Sequence, residues 1–474
     1  MILIGLAAAI AVPMITGFAL SLLIMRQCTI GKSFRLALAY GLGMGVLAHW
    51  MLFLDILKIK FSVIGIGVPL LVFSAVIIII AGLLRRRDPS FAMTDEKPAT
   101  PSEVSTYLDS AISIALCFYI AYYLFYIFWR AINVPVEAWD SLSSVAFKAK
   151  VFFYEGWLYH LKDMPPHPSY PLQLPLSMTW IALVLGKWSD QYIQIIYPCA
   201  TLSFVVIAYF FLKTFTGRRW ALFGVAMILS SNELVHHSAI AYRDQFLMYY
   251  TVTAIMLIIL WSFKDDDALL LTAGFFAGFG SFTKLEGTPY IVILAFTLAF
   301  ILRHKKETPV KEKIIKFLKF SIPAFLICSV FHIYKIAGGF PERENALELG
   351  IGNLSRIPAI FSSFWTDLFI SGNWNIIWFL LVISLAVNIG KIGKRLEAKY
   401  LLFALAMFFG LYFGLSCFTS EFVWIAGEKS STTISRLILH FFPLAPLLIV
   451  LLNYPEASRV SMSSLNPKKD TRTR

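Results

Sequence analysis

An all-α polytopic membrane protein is the fold class this sequence predicts, with about thirteen transmembrane helices and further interfacial or re-entrant helices in a first long outer loop. Three observations carry the prediction. Of the 474 residues, 58% are hydrophobic and only 15% are charged, against roughly 25% charged in a soluble domain. The apolar residues fall in long blocks, such as 61–84 and 434–452, each matching the ~20 residues that cross ~30 Å of hydrocarbon. Basic clusters sit between the blocks, where they encode orientation.

In chain order, spans are expected near 2–25, 36–57, 61–84, 108–131, 191–213, 220–236, 245–263, 268–283, 288–302, 314–335, 374–390, 400–417 and 434–453. The first opens Met1-Ile2-Leu3-Ile4-Gly5, without a positive n-region or a clear cleavage site, and reads as a retained span. Arg85-Arg86-Arg87, Lys213 with Arg218-Arg219, and the stretches 303–316, 391–399 and 459–474 are basic, so they are expected to be cytoplasmic. The stretch 88–107 is rich in Pro, Ser, Thr and acidic residues and reads as a linker.

The apolar stretch 171–185 tests this scheme. Counted as a full span, it would put Lys213, Arg218, Arg219, Lys305 and Lys306 on the wrong side. It is short and carries Pro171 and Pro175, so it reads as a helix that dips in and returns or lies along the interface. The long, chemically rich loops (133–191, 236–244, 283–287, 337–374 and 419–436) then share the face opposite the basic clusters.

The expected organisation is an N-terminal three-helix segment with its linker (1–107), a module carrying the first two outer loops (108–303), a second transmembrane module (304–453), and a basic tail (454–474). The formal charge of +13 follows from topology-setting loops and implies no nucleic-acid partner. Cys28, Cys117, Cys199, Cys328 and Cys417 lie scattered in or beside spans, with neither metal spacing nor a disulfide framework.

Two acids stand out: Asp140 in Glu137-Ala138-Trp139-Asp140, and Asp244 in Ala241-Tyr242-Arg243-Asp244. Each lies at the edge of a span on the same face, and intramembrane or boundary carboxylates are costly and usually functional. After Asp140, Val145, Phe147, Val151 and Phe152 recur at helical spacing, with Ser143, Ser144, Lys148 and Lys150 opposite. That pattern predicts an interfacial amphipathic helix whose lysines meet lipid phosphates, or simply a structural helix capped by Asp140.

Further on, His167 and Tyr170 are bracketed by prolines, and His167 could bind phosphate or orient a carboxylate. Arg243 is expected to keep its neighbour Asp244 ionised, able to bind a divalent cation or sugar hydroxyls. His236-His237 matches no zinc pattern. Lys284 and Glu286 share a short turn and either pair with each other or face an anionic and a hydroxylated ligand. Arg436 opens the last span, where its planar fork suits a phosphate or simply snorkels. A nucleotide loop of the Gly-x-x-x-x-Gly-Lys-Ser/Thr type, a Gly-x-Ser-x-Gly elbow and a His-Glu-x-x-His motif are absent, so ATP-driven cytoplasmic chemistry has no support.

Together these motifs resemble the GT-C superfamily of integral-membrane glycosyltransferases, in the bacterial branch related to protein O-mannosyltransferases and the aminoarabinose transferase of lipid A. Ala138-Trp139-Asp140 with Lys148-Ala149-Lys150 is similar to the family's first outer loop and its essential acid. His167-Pro168-Ser169-Tyr170-Pro171-Leu172 is similar to a His-Pro-Asp-Tyr-Pro-Leu element, Ala241-Tyr242-Arg243-Asp244 to Gly-Tyr-Ala-Asp, Thr283-Lys284-Leu285-Glu286-Gly287 to Thr-Lys-Asn-Glu-Gly, and Ser435-Arg436 to Asp-Arg. The likeness spans roughly residues 108–453; Ser169 and Ser435 depart from it by replacing acids, and the three N-terminal spans precede the usual first helix.

The resemblance implies transfer of a sugar from a polyprenyl-phosphate donor to a glycan, lipid or protein acceptor at the extracytoplasmic face of a bacterial inner membrane. Asp140 is the expected general base and Asp244 the second catalytic acid. Arg436, Lys284, His167 and Lys148 are expected on the donor phosphate, and Glu286, Tyr170, Tyr242, Arg243 and Trp139 on substrate. A divalent cation (Mg or Mn) has Asp244 as its candidate ligand. Rival readings are a polymerase or ligase using a lipid-pyrophosphate-linked glycan, and a proton-coupled transporter or lipid flippase; the latter lacks the paired broken helices of a transporter.

Overall fold

A computed structural model describes residues 1–26, 31–86, 103–158, 160–164, 167–341, 353–427 and 433–455. Cys28, most of the expected linker and the basic tail lie outside the described residues. Helix is the only regular structure among them. The N-terminal part contains α1 (Ile2–Ile24), α2 (Lys32–Ile56), α3 (Val63–Arg86) and α4 (Glu103–Asn133). A long loop follows with α5 (Ala146–Glu155) and α6 (Gln173–Leu185). The central part is α7 (Ile196–Phe215), α8 (Arg218–Leu229), α9 (Asn232–His237), α10 (Asp244–Lys264), α11 (Asp267–Thr283), α12 (Gly287–His304) and α13 (Val310–Ala337). The chain then continues through α14 (Ile357–Trp365), α15 (Ile377–Ile392), α16 (Leu396–Phe418), α17 (Phe422–Ile425), α18 (Thr433–Leu439) and α19 (Leu444–Asn453).

Among the described residues, 9 helices are long and apolar enough to cross a membrane, and α18 with α19 makes one more as a span bent by 50°. The protein is a multi-pass α-helical membrane protein. The remaining expected spans fall on shorter pieces. Residues 220–236 are divided between α8 and α9, because the chain breaks at Ser231, whose hydroxyl accepts from Leu234 N at 3.2 Å and caps α9. At 1.5 Å per residue, the 12 residues of α8 reach about 18 Å. The 13 residues of α6 reach about 20 Å, short of ~30 Å of hydrocarbon.

Burial grades from centre to rim. α10 is almost wholly enclosed, whereas α3 and α4 expose most of their apolar side chains, including Val72, Val76, Ile79, Phe118 and Phe125. Exposed apolar residues on a bundle exterior need a nonpolar solvent, which is what lipid provides. Inside, several polar groups are paired across helices. Tyr40 Oη donates to Ile196 O at 2.7 Å, Ser203 Oγ to Ala37 O at 2.7 Å, Tyr250 Oη to Gly41 O at 3.0 Å, and Trp180 Nε1 to Ala9 O at 2.8 Å. These bonds tie α1 and α2 to α6, α7 and α10.

α1 and α2 meet backbone to backbone. A Cβ on Gly17 would lie 1.8 Å from Ala39 O, and one on Gly43 would lie 1.7 Å from Pro13 O. Small residues at such crossings replace the missing hydrophobic drive in lipid with close packing. Gly43→Leu is therefore expected to destabilise the purified protein by about 3 kcal/mol or more, since backbone atoms cannot yield. Gly410→Ala, where a Cβ meets nothing within 4 Å, is the control and should melt with wild type. Equal melting temperatures for Gly43→Leu and wild type in detergent would contradict this packing.

Candidate functional site

The site lies at the bundle end where α10 and α12 begin. Asp244 is the first residue of α10, so the positive end of the helix faces its carboxylate. The carboxylate is fully buried and completely engaged. Oδ1 accepts from Lys284 Nζ at 2.9 Å and His440 Nε2 at 3.0 Å, and Oδ2 accepts from Arg436 Nε at 3.2 Å and Nη2 at 3.0 Å. Arg436 Nη2 also reaches Asp140 Oδ2 at 2.7 Å. One guanidinium thus bridges the two acids, the first fully enclosed and the second with 36% of its side chain exposed.

Local structure explains how these groups arrive. The turn from Lys284 to Gly287 closes with Gly287 N donating to Lys284 O at 3.0 Å, and a Cβ on Gly287 would lie 2.3 Å from Gly280 O, so only glycine fits. This turn drops Lys284 between Asp244 and Glu286, with Nζ 2.9 Å from a carboxylate oxygen of each. Burial pushes the Lys284 ammonium down, but Asp244 and Glu286 outweigh it and hold its pKa above the ordinary value. Glu286, raised by burial, is brought net below the carboxylate range chiefly by Lys284. The face of Tyr242 lies 4.7 Å from the Arg436 guanidinium carbon.

A second group of cations adjoins this one. Arg243 turns away from Asp244: its Nη2 donates to Ser144 Oγ at 3.0 Å and its guanidinium lies 5.2 Å from the ring centroid of Tyr170. Tyr170 stacks on His167 with centroids 4.5 Å apart. Lys148 is buried, with Nζ donating to the His167 carbonyl at 2.5 Å. Burial first, then the field of Arg243, lowers its pKa from 10.5 to about 7. Neither Lys148 nor Arg243 has a carboxylate ion pair among the described residues, and Arg243 Nε and the Tyr197 hydroxyl are buried without a hydrogen-bond partner there.

The structure therefore brings Asp140, Asp244, Arg436, Lys284, Glu286 and Tyr242 into one cluster, with Lys148, Arg243, Tyr170 and His167 in the next. Trp139 stands at the edge, 78% exposed. Three expectations are corrected. Asp140 does not cap a helix with its side chain; it precedes a π-helical turn (Ser141–Val145) and points to Arg436. Lys148 and Ser144 face inward rather than toward lipid, while Phe147 is exposed. Asp244 owes its counter-charges to Arg436 and Lys284, not to adjacent Arg243.

A divalent cation at Asp244 does not fit. Both oxygens already accept from cationic or N–H donors, and no group of three or more His, Cys, Asp or Glu able to hold a metal occurs among the described residues. Sequence reasoning overlooked His440, Tyr290 and Tyr412. The signal for His440 was available: it is the one histidine inside the last apolar span.

No family model matches the chain, and no curated protein or solved structure matches it either.

Removing one partner of a buried ion cluster leaves the others uncompensated. Asp244→Asn should cost about 3–5 kcal/mol, read as a fall in melting temperature in detergent; an unshifted melt would refute the buried cluster. Lys148 supplies a pH test. With its folded pKa depressed to about 7 against 10.5 unfolded, the unfolded chain holds the extra proton between those values. Wild-type stability should then rise with pH across that window and Lys148→Met should flatten the rise. Identical pH slopes would mean the amine is not buried as described.

Proposed function

We propose that this protein is a GT-C-like membrane glycosyltransferase that moves a sugar from a polyprenyl-phosphate donor to an acceptor hydroxyl or amine. The observation that carries this reading is a pair of buried basic side chains, Lys148 and Arg243, with no direct carboxylate ion pair among the described residues, beside the partly exposed acid Asp140. Burying unpaired positive charge is costly unless an anion completes it. A phosphate is an anion of the right size, and a lipid-borne one reaches this depth from the bilayer.

Asp140 supplies the base. Its Oδ2 is engaged by Arg436, and its side chain keeps partial exposure. In the proposed step, the acceptor O–H or N–H proton passes to Asp140 as the acceptor atom bonds to the anomeric carbon. The anomeric carbon–oxygen bond breaks with its electron pair going to the phosphate. Lys148 and Arg243 balance the charge that develops there, so no separate general acid is required. Asp244 works through others: it holds Arg436 and Lys284 in place. A single displacement inverts the anomeric configuration.

Orientation supports the same reading. α10 and α12 run from the site to Lys264 and His304, and the opposite end gathers Lys305, Lys306, Lys311, Lys313, Lys316 and Lys319. The positive-inside rule makes that end cytoplasmic and the site extracytoplasmic. In a bacterium, this would be the inner membrane. Thirteen crossings would need α8, α11 and α15 to cross together with the longer spans.

The test is transfer from a polyprenyl-phosphate-linked sugar in lipid nanodiscs. Asp140→Asn should lose at least about 10²-fold in rate, the scale of a general base, with an unchanged melting temperature. Lys148→Met and Arg243→Met should weaken binding of polyprenyl phosphate about 10-fold or more while Lys148→Met folds at least as well as wild type, since it removes a desolvated amine. Full turnover by Asp140→Asn would overturn the assignment.

A further inference from the structure

The Asp244 carboxylate is the end of a buried hydrogen-bonded chain that the transfer mechanism does not use. Its members come from four separate segments, three helices and the break between α18 and α19. His440 follows directly on α18, in the break before α19 where the span bends by 50°. Its Nε2 lies 3.0 Å from Asp244 Oδ1. On the other side of the ring, Nδ1 lies 2.7 Å from the Tyr290 hydroxyl on α12 and 3.2 Å from the Tyr412 hydroxyl on α16. The two tyrosine hydroxyls also hydrogen-bond to each other. All of these side chains are buried.

Chemistry fixes the direction of the chain. The ionised Asp244 carboxylate is acceptor-only, so His440 must carry its proton on Nε2. With Lys284 and Arg436 also on that carboxylate, a neutral ring supplies the donor without adding a third positive charge. Nδ1 is then an acceptor and takes a hydroxyl proton from Tyr290, which in turn accepts from Tyr412. Every hydrogen points toward Asp244.

Among the described residues no hydrogen bond carries the chain past Tyr412. Its geometry suits it to orient. What it orients is the carboxylate whose other oxygen holds the guanidinium that touches Asp140.

We propose that His440, fixed as the Nε2–H tautomer by Tyr290 and Tyr412, is a positioning residue that locks Asp244 and so sets Arg436 against Asp140. The proposal rests on the glycosyl-transfer reading. Losing the lock lets the carboxylate rotate and the guanidinium drift, and a displacement of about 1 Å in a reacting constellation costs on the order of 10²-fold in rate. Donor binding depends on Lys148 and Arg243 and is left alone.

The experiment compares wild type, His440→Phe, His440→Gln and Tyr290→Phe by transfer kinetics in nanodiscs, normalised to folded protein, with a polyprenyl-phosphate-linked sugar as donor. His440→Phe should drop kcat about 10²-fold with KM for the donor within about two-fold. His440→Gln, which keeps an N–H donor near the Nε2 position, should recover most of kcat. Tyr290→Phe removes one hydroxyl with little change of volume and should cost several-fold in kcat, which keeps the test decisive if His440→Phe fails to fold.

In wild type, ¹⁵N-histidine NMR should give a neutral Nε2–H ring. Unchanged kcat in His440→Phe, or in Tyr290→Phe where His440→Phe does not fold, overturns the proposal. So does an imidazolium or an Nδ1–H tautomer. If wild type transfers no sugar, the transfer reading fails first and the proposal falls with it; if wild type transfers and the variants match it, the proposal falls alone.

Discussion

One guanidinium shared by two carboxylates organises this end of the molecule. Taking even one ion from water into a low-dielectric interior costs several kcal/mol after relaxation. The fold meets that cost at Asp244 by surrounding it completely: Lys284 and His440 on one oxygen, two nitrogens of Arg436 on the other, and the positive terminus of α10 beneath. Lys284 comes from the α11–α12 turn and Arg436 and His440 from the bent last span, so the ionic cluster also fixes how these two segments meet the start of α10. Asp140 and Glu286, unlike Asp244, keep partly exposed side chains.

The membrane character and the order of the spans were legible because the bilayer leaves the chain little freedom: apolar runs of ~20 residues can hardly be anything else. What was not legible is equally physical. Residues 220–236 are as apolar as a short span, yet a single hydroxyl at Ser231 caps a new helix and breaks the run. Lys148 was read as lipid-facing because amphipathic patterning assumes that polar residues face water; here the inside of the bundle is itself polar, so the polar stripe turns inward. Arg243 and Asp244 are neighbours in sequence, but successive helical residues point about 100° apart and do not meet. The acid finds its counter-charge 192 positions away instead. His440 could be flagged as an ionisable residue in an apolar run, but its role could not, because its three partners lie on helices distant in sequence.

The charges sort into two zones with different needs. Around Arg436 and Lys284, three carboxylates (Asp140, Asp244 and Glu286) more than balance the cations. Lys148 and Arg243 make no direct carboxylate ion pair among the described residues; their contacts are a backbone carbonyl, a serine hydroxyl and an aromatic face. On the transfer reading this separation has a use. A phosphate drawn to Lys148 and Arg243 leaves Asp140 ionised next door, and the base is not neutralised by the cations that bind the donor, because Arg436 is already shared with Asp244.

Arg436 is also held from behind. Its neighbour Ser435 donates to Asp367 Oδ1 at 2.5 Å, and Asp367 Oδ2 accepts from Trp374 Nε1 at 2.8 Å. Burial raises the Asp367 carboxyl, and its described partners are neutral donors. The segment carrying it is clamped in turn to the start of α9, with Ser231 Oγ donating to Asn373 O at 3.1 Å and Glu233 N to the same oxygen at 3.3 Å. A long, flexible side chain at a bilayer boundary would ordinarily snorkel among many rotamers. Pinning α18 at Ser435 and His440, one residue before Arg436 and four after, removes that freedom from the backbone side, while Tyr242 and the two acids remove it from the head-group side. The guanidinium is therefore placed before any ligand arrives, which is the condition under which an electrostatic contact contributes to a reaction without being reorganised during it.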